Sequence, residues 1–174
     1  MHSPEMPSPW FVDHGILIAP AASVLDLACG HGRHARFFAE RGAFVTAVDR
    51  DATALRSLVT TQNVTIECRD LEGDVWPYAE ASFDAIIVSN YLWRPAFLLL
   101  LASIKPGGVL LYETFMDGNE RYGKPSRPDF LLRSNELLTL TQDAFRVVAY
   151  EEGHELNAKG QPFAVKQKIA AIKY

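Results

Sequence analysis

The chain has 174 residues, 48% apolar and 22% charged, which predicts one compact domain with its own core and excludes a disordered chain or a two-domain dehydrogenase or kinase. Lys and Arg number 17 against 21 Asp and Glu, a net charge of −4, so no global field draws the protein to nucleic acid or to an anionic membrane. Two cysteines, Cys29 and Cys68, are too few for a disulfide framework, and no Cys/His spacing suggests a metal.

Pro4, Pro7 and Pro9 crowd the first nine residues, which are expected to form a mobile tail ahead of a domain spanning 10–174. The start, MHSPEMPSPW, has no basic segment followed by an apolar one, and with the cysteine usage this predicts a cytoplasmic protein. Residues 10–17 are expected to form a short covering helix. Strands at 23–27, 44–49 and 64–68 then alternate with helices at 32–41 and 51–60. A strand at 83–89, a helix at 95–104 and a strand at 108–114 follow, the last after a Lys105-Pro106-Gly107-Gly108 turn. The most lipid-like stretch, 91–104, is broken by Arg94 and Pro95, leaving about ten apolar residues where about 20 are needed to cross a bilayer. The strands are continuous apolar runs, as expected when helices cover both faces of a parallel sheet.

Residues 115–133 read FMDGNERYGKPSRPDFLLR, a polar loop too long for a plain connection. A helix at 134–141 leads to a strand at 145–150, a turn region holding Gly153 and Gly160, and a last strand at 163–172. The chain therefore ends in a β-hairpin.

The chemistry concentrates in residues 24–32, Val-Leu-Asp-Leu-Ala-Cys-Gly-His-Gly, a strand that breaks into a two-glycine turn and then a helix. Glycine lets backbone approach a ligand, and the helix start offers free N–H donors. The next strand ends in Asp49, the acidic residue that a pair of ribose hydroxyls requires. This places one nucleoside across two adjacent strand tips. Gly30, Gly32 and Ala35 also fit the dinucleotide pattern G-x-G-x-x-A. Asp26 within D-x-x-x-G-x-G, the short chain and the final hairpin favour S-adenosylmethionine over NAD.

On these residues the sequence resembles the class I S-adenosylmethionine-dependent methyltransferases over 23 to about 115, and more loosely to its end. VLDLACGHG is similar to their first motif, TAVDRD to their ribose-binding strand end and CRDLEG to their adenine-facing acidic loop. FDAIIVSNYLWR and IKPGGVLLYE resemble their fourth- and fifth-strand motifs. The short chain and the segment CGHGRHARFFAERG look most similar to small bacterial enzymes of the tellurite-resistance type. The resemblance implies an α/β, Rossmann-like seven-stranded sheet of order 3-2-1-4-5-7-6, strand 7 antiparallel, with helices on both faces.

It also implies roles. Gly30 and Gly32 would line the methionine part of the cofactor, Asp49 the ribose, Asp70 and Leu71 the adenine. Asp26 would hold the turn or the cofactor's amino group, Asn90 would contact that end, and Arg33 or His31 would meet the methionine carboxylate or the acceptor. Ser89-Asn90-Tyr91-Leu92 stands where N6-adenine and glutamine methylating enzymes show Asn-Pro-Pro-Tyr, which disfavours those substrates. His31, Glu113 and His154 are the candidate bases at the sheet edge, while Thr114 shares Glu113's edge and His34 would face solvent. Tyr91 and Trp93 serve either as packing residues or as acceptor walls, and Cys29 as an apolar filler.

The loop 115–133 is expected to act as a substrate lid, with Arg121, Lys124, Arg127 and Arg133 outnumbering its three acids and Arg121 and Arg127 contacting the acceptor. The expected activity is methyl transfer to a small thiol, hydroxyl or metalloid oxyanion, with no nucleic-acid or membrane partner and the oligomeric state open. The competing reading is a non-catalytic S-adenosylmethionine-binding module or partner subunit.

Overall fold

The computed structural model describes residues 6–73 and 75–174, so residues 1–5 of the expected tail lie outside the described residues. Seven strands form one sheet of order β3-β2-β1-β4-β5-β7-β6. They are β1 (Ser23–Leu27), β2 (Phe44–Asp49), β3 (Val64–Cys68), β4 (Phe83–Ser89), β5 (Ile104–Phe115), β6 (Phe145–Leu156) and β7 (Pro162–Lys173). β1 to β5 pair in parallel, and β7 runs antiparallel to both β5 and β6. The order and the reversed strand are those the resemblance implies.

Strand alternation divides the core into two layers. On β4, Ile86 and Val88 face one side with Leu25, Leu110 and Tyr112. Ala85 and Ile87 face the other with Val24, Val45 and Leu111. The first side is covered by α4 (Phe97–Ala102) and α5 (Glu136–Thr141), the second by α1 (Pro9–His14), α2 (Arg33–Glu40) and α3 (Ala52–Leu55). β4 is fully enclosed from Ala85 to Val88, which is why its run reads as unbroken apolar sequence.

Beyond shifts of one or two residues at helix and strand ends, the structure departs from the sequence expectation in four places. Ser8 is buried and Pro9 opens α1, so the tail ends before them: Ser-Pro is a helix start, with the missing proline N–H harmless at the first helical position. The helix expected at 51–60 ends earlier, as α3 and a 3-10 turn Arg56–Leu58. β5 begins at Ile104, and the Lys-Pro-Gly-Gly turn is an irregularity inside it, where the partners step from Phe83↔Ile104 to Ala85↔Val109. β6 runs on through Gly153 to Leu156, because its polar end pairs with β7 residue by residue, and the hairpin turn falls at 157–161.

The turn after β1 depends on Gly32, which caps α2 at φ +74. A Cβ built there would lie 2.4 Å from the Leu58 methyl carbons, whereas one at Gly30 (φ +55) would meet nothing within 4 Å. Gly30→Ala is therefore expected to cost only the left-handed backbone term, about 1 kcal/mol. Gly32→Ala adds overpacking against Leu58, for a total of about 2–4 kcal/mol. Urea midpoints of the two variants test this, and equal losses would remove Leu58 as the cause.

Candidate active site

Parallel β1 to β5 deliver their carboxyl ends to one edge of the sheet, and antiparallel β7 begins there. Three adjoining cavities open along that edge. One of about 190 Å³ lies at Asp49, Asp70 and Tyr91, one of about 320 Å³ under the turn after β1, and one of about 540 Å³ beyond β4 and β5. The first two share Ala28; the second and third share Arg33 and Asn90.

The turn after β1 alternates left-handed residues at Ala28, Gly30 and Gly32. This aims the Gly30 N–H at Asp49, which accepts it on Oδ2 at 2.7 Å and the Asp51 N–H on Oδ1 at 2.9 Å. Each carboxylate oxygen keeps a further lone pair for a diol. Gly30 opens on the middle cavity, but Gly32 turns its α-carbon towards Leu58 and its N–H to the Cys29 carbonyl, so its part is structural rather than the cofactor contact expected. Asp70 and buried Leu71 line the smallest cavity, and Asp70 Oδ1 accepts the Glu72 N–H at 3.0 Å.

Asp26 lines the middle cavity at 2% exposure, and its Oδ2 has no hydrogen-bond partner among the described residues. Burial pushes its carboxyl up to about 7, with the Ala35 N–H and Arg33 pulling it back and Asp49 adding to the rise. Cys29 lines the same cavity, its thiol pushed up by burial and then by Asp26 and Asp49, which makes it a filler rather than a nucleophile. Asn90 takes a left-handed φ of +57, which asparagine tolerates, and donates its N–H to the Glu113 carbonyl at 2.9 Å.

The largest cavity has Glu113 in its wall, 1% exposed. The Ser8 hydroxyl donates to its Oε2 at 2.7 Å, the Ser89 hydroxyl to its Oε1 at 3.0 Å, and Lys166 Nζ lies 3.4 Å from Oε1. Burial alone would raise the carboxyl; Lys166, then the two hydroxyls, outweigh it and hold it below the usual range. Glu113 is thus a fixed anion with its oxygens occupied, a poor general base. Arg33 reaches across to donate to the Ser89 hydroxyl at 3.2 Å.

Several expected residues lie elsewhere. His34 is 3% exposed, its ring tilted against Phe11 and accepting the Ser8 N–H at 3.1 Å on Nε2, not facing solvent. Thr114 is likewise buried. Tyr91 walls the nucleoside-sized cavity instead of the large one, and Trp93 lines none of the three. His154 does not line the large cavity: it is exposed in a small groove that meets that cavity at Glu155 and Lys166, its ring centroid 5.7 Å from that of Tyr122. Exposed Arg121 and Arg127 do not line the large cavity; Arg127 pairs with Asp129 in solvent. His31 lines the middle cavity from an exposed position.

The loop 115–133 is anchored at its base, where the Leu132 N–H donates to the Phe115 carbonyl and buried Asn119 accepts the Val165 N–H. From it Asn119, Tyr122 and Lys124 reach the cavity. Sequence reading missed Ser8, Lys166, Glu155 and Phe163, all on the large cavity.

His34 makes stability pH-dependent. Burial and then Arg33 hold its imidazole down to about 3. The unfolded chain takes up a proton below about 6.5 and the folded chain does not, so stability falls as pH drops from about 6.5 to 3, by up to about 1.4 kcal/mol per unit. His34→Gln lacks this term, so its stability deficit at about pH 7 is expected to narrow by about pH 5 in urea titrations; a constant deficit would show that His34 titrates normally.

A family of methyltransferase domains matches residues 24–108. An uncharacterised methyltransferase of Mycobacterium tuberculosis is 36% identical over 107 residues, 58% of this chain and 54% of the relative. A demethylmenaquinone methyltransferase of Corynebacterium urealyticum is 34% identical over 103 residues, 56% of this chain and 44% of the relative. The chain thus spans about half the length of these curated relatives. TehB from Haemophilus influenzae superposes with TM-score 0.76 at 22% identity, over 97% of this chain and 63% of that one. Burkholderia thailandensis 1,6-didemethyltoxoflavin-N1-methyltransferase, solved with its substrate and S-adenosylhomocysteine, superposes with TM-score 0.70 at 21% identity, over 99% and 79%. These two likenesses show the fold, the same kind of seven-stranded sheet, and over residues 24–108, just under half of the chain, the sequence is similar to methyltransferase domains.

Proposed function

We propose that the protein is an enzyme that transfers a methyl group from S-adenosylmethionine to a small-molecule acceptor. The observation that carries this reading is the run of three joined cavities: two of a size and lining for a nucleoside and an amino acid, and a third for something else. A non-catalytic binding module would not require the third.

The residues present fit the cofactor. Asp49 offers two acceptor oxygens to a diol, Asp70 and Leu71 flank the base, and Tyr91 supplies an aromatic wall. Unpartnered Asp26 Oδ2 suits an ammonium group, and the bare face of Gly30 leaves room for a chain to pass. Bound there, a sulfonium supplies a methyl group whose displacement releases a neutral thioether. The protein's own contribution is alignment and exclusion of water. Arg33 and Asn90, which line both the middle and the large cavity, stand where donor and acceptor would meet. Among the described residues of the large cavity both carboxylates are already paired, Glu113 with Lys166 and Glu155 with Lys168. This supports a thiolate or oxyanion acceptor that needs no strong base. The loop 115–133 would act as the outer wall, with Lys124 in place of Arg121 and Arg127.

Calorimetry with S-adenosylmethionine, then a coupled assay for S-adenosylhomocysteine over thiols, phenols, selenite and tellurite, tests the function. Asp49→Asn is expected to weaken cofactor binding by about 1.5–3 kcal/mol. Unchanged affinity removes Asp49 from the ribose, and no affinity in the native protein removes the function.

Asp26 gives the binding a pH signature. Its carboxyl in the free protein titrates about 7, and an ammonium partner favours the ionised form. Affinity for S-adenosylhomocysteine is therefore expected to fall as pH drops from about 8 to 6, approaching tenfold per unit below the carboxyl's midpoint. Asp26→Asn is expected to bind weakly with no such slope. A slope that survives in the variant would assign it to another group.

A further inference from the structure

Resting on the methyl-transfer reading, we propose that the large cavity selects a flat, ring-bearing small anion as acceptor, its charge received by the Lys166 ammonium. Lys166 sits near the start of β7 opposite Phe115, and the diagonal neighbour on β5 is Glu113. Its side chain is 12% exposed, its Nζ 3.4 Å from Glu113 Oε1 and 5.0 Å from the Phe115 ring centroid.

That ion pair is loose for a buried one, and the reason is visible in Glu113. The Ser8 and Ser89 hydroxyls hold its two oxygens at 2.7 and 3.0 Å, shorter than the contact to Lys166. An ammonium carries three donors, and among the described residues Glu113 is the one acceptor found for Lys166. The remaining donors belong to a side chain that lines the cavity. Burying an ammonium is costly unless all its donors are met, so a cavity that leaves them open is arranged for an incoming oxyanion.

The rest of the lining agrees. Glu155, the second acid, is held by Lys168 at 2.6 Å, a cation outside the cavity lining. Arg33 and Lys124 add two more positive charges to the walls. Three cations therefore face two acids already engaged. Phe115, Tyr122 and Phe163 supply aromatic surface, and about 540 Å³ accommodates a molecule of one or two rings.

Benzoate and its neutral isostere benzamide are the probes. Ligand-observed NMR titrations, with and without S-adenosylhomocysteine, are expected to show benzoate binding at least about tenfold tighter. Lys166→Met leaves Glu113 unbalanced and is at risk of misfolding, so it is paired with Glu113→Gln. The double variant is expected to lose the preference while holding S-adenosylhomocysteine affinity, and Lys166→Arg to keep both. Benzoate failing to bind, binding no better than benzamide, or keeping its preference in the double variant overturns the proposal. Loss of S-adenosylhomocysteine binding in the native protein overturns the methyl-transfer reading instead, and leaves the charge preference to be read from the probes alone.

Discussion

A buried carboxylate holds the large-cavity end of the site together. Glu113 is enclosed near the end of β5, where an uncompensated charge would cost several kcal/mol. Its partners come from three stretches remote in sequence: Ser8 before α1, Ser89 at the tip of β4 and Lys166 on β7. Satisfying one anion thus closes the amino-terminal segment over the sheet edge, locks β4 against β5 and pulls the final hairpin inward. His34 completes the closure by accepting the Ser8 N–H from the other side. The same contacts keep Glu113 ionised and occupied, so it acts as a counter-charge rather than a proton acceptor.

A second constraint works at the other end of the sheet edge, beside the two smaller cavities. There the turn after β1 is fixed by Asp49, which takes backbone N–H groups from Gly30 and Asp51 and so ties the tip of β1 to the tip of β2. The contrast between the two ends is one of solvation. Asp49 remains partly open to solvent with unused lone pairs, whereas Asp26 is enclosed with an oxygen unmet among the described residues. Two carboxylates that flank the same turn thereby differ in what they still offer, spare lone pairs on Asp49 and an enclosed, unmet oxygen on Asp26.

Much of this was legible in the sequence, for identifiable reasons. β1, β2 and β4 were read to the residue because each is a largely apolar, mostly buried run with turn residues at its ends, and β3, an edge strand with no buried residue, because its β-branched VTIEC stands out between polar turns. Asp49, Asp70 and Gly30 were placed at the sheet edge because the first ends β2, the second lies two residues past β3 and the third sits in the turn between β1 and α2. The failures fall where long-range pairing overrides local character. EEGHE reads as a turn by composition, yet it is strand because β7 supplies the ladder. Ser8 was hidden in proline-rich sequence, although Ser-Pro is itself a helix-start signal. Lys166 alternates with buried Val165 and Gln167 in a strand expected to run antiparallel, and that alternation could have placed it at the cofactor edge. Arg121 and Arg127 were chosen by charge count alone, which carries no direction.

The large cavity has one more consequence, for how such a protein changes over time. The residues around the two smaller cavities lie between 26 and 91, within the segment that matches the methyltransferase domain family. Of the large cavity's lining, Arg33 and Asn90 alone come from that segment; the rest is drawn from Ser8, Pro9 and positions 113–166. The segment similar to the domain family and most of the large cavity's walls therefore lie in separate stretches of chain. Substitutions along β5, the loop after it and the closing hairpin can reshape the large cavity while the turn after β1 stays intact, so two proteins alike across 24–108 are free to diverge in what that cavity admits.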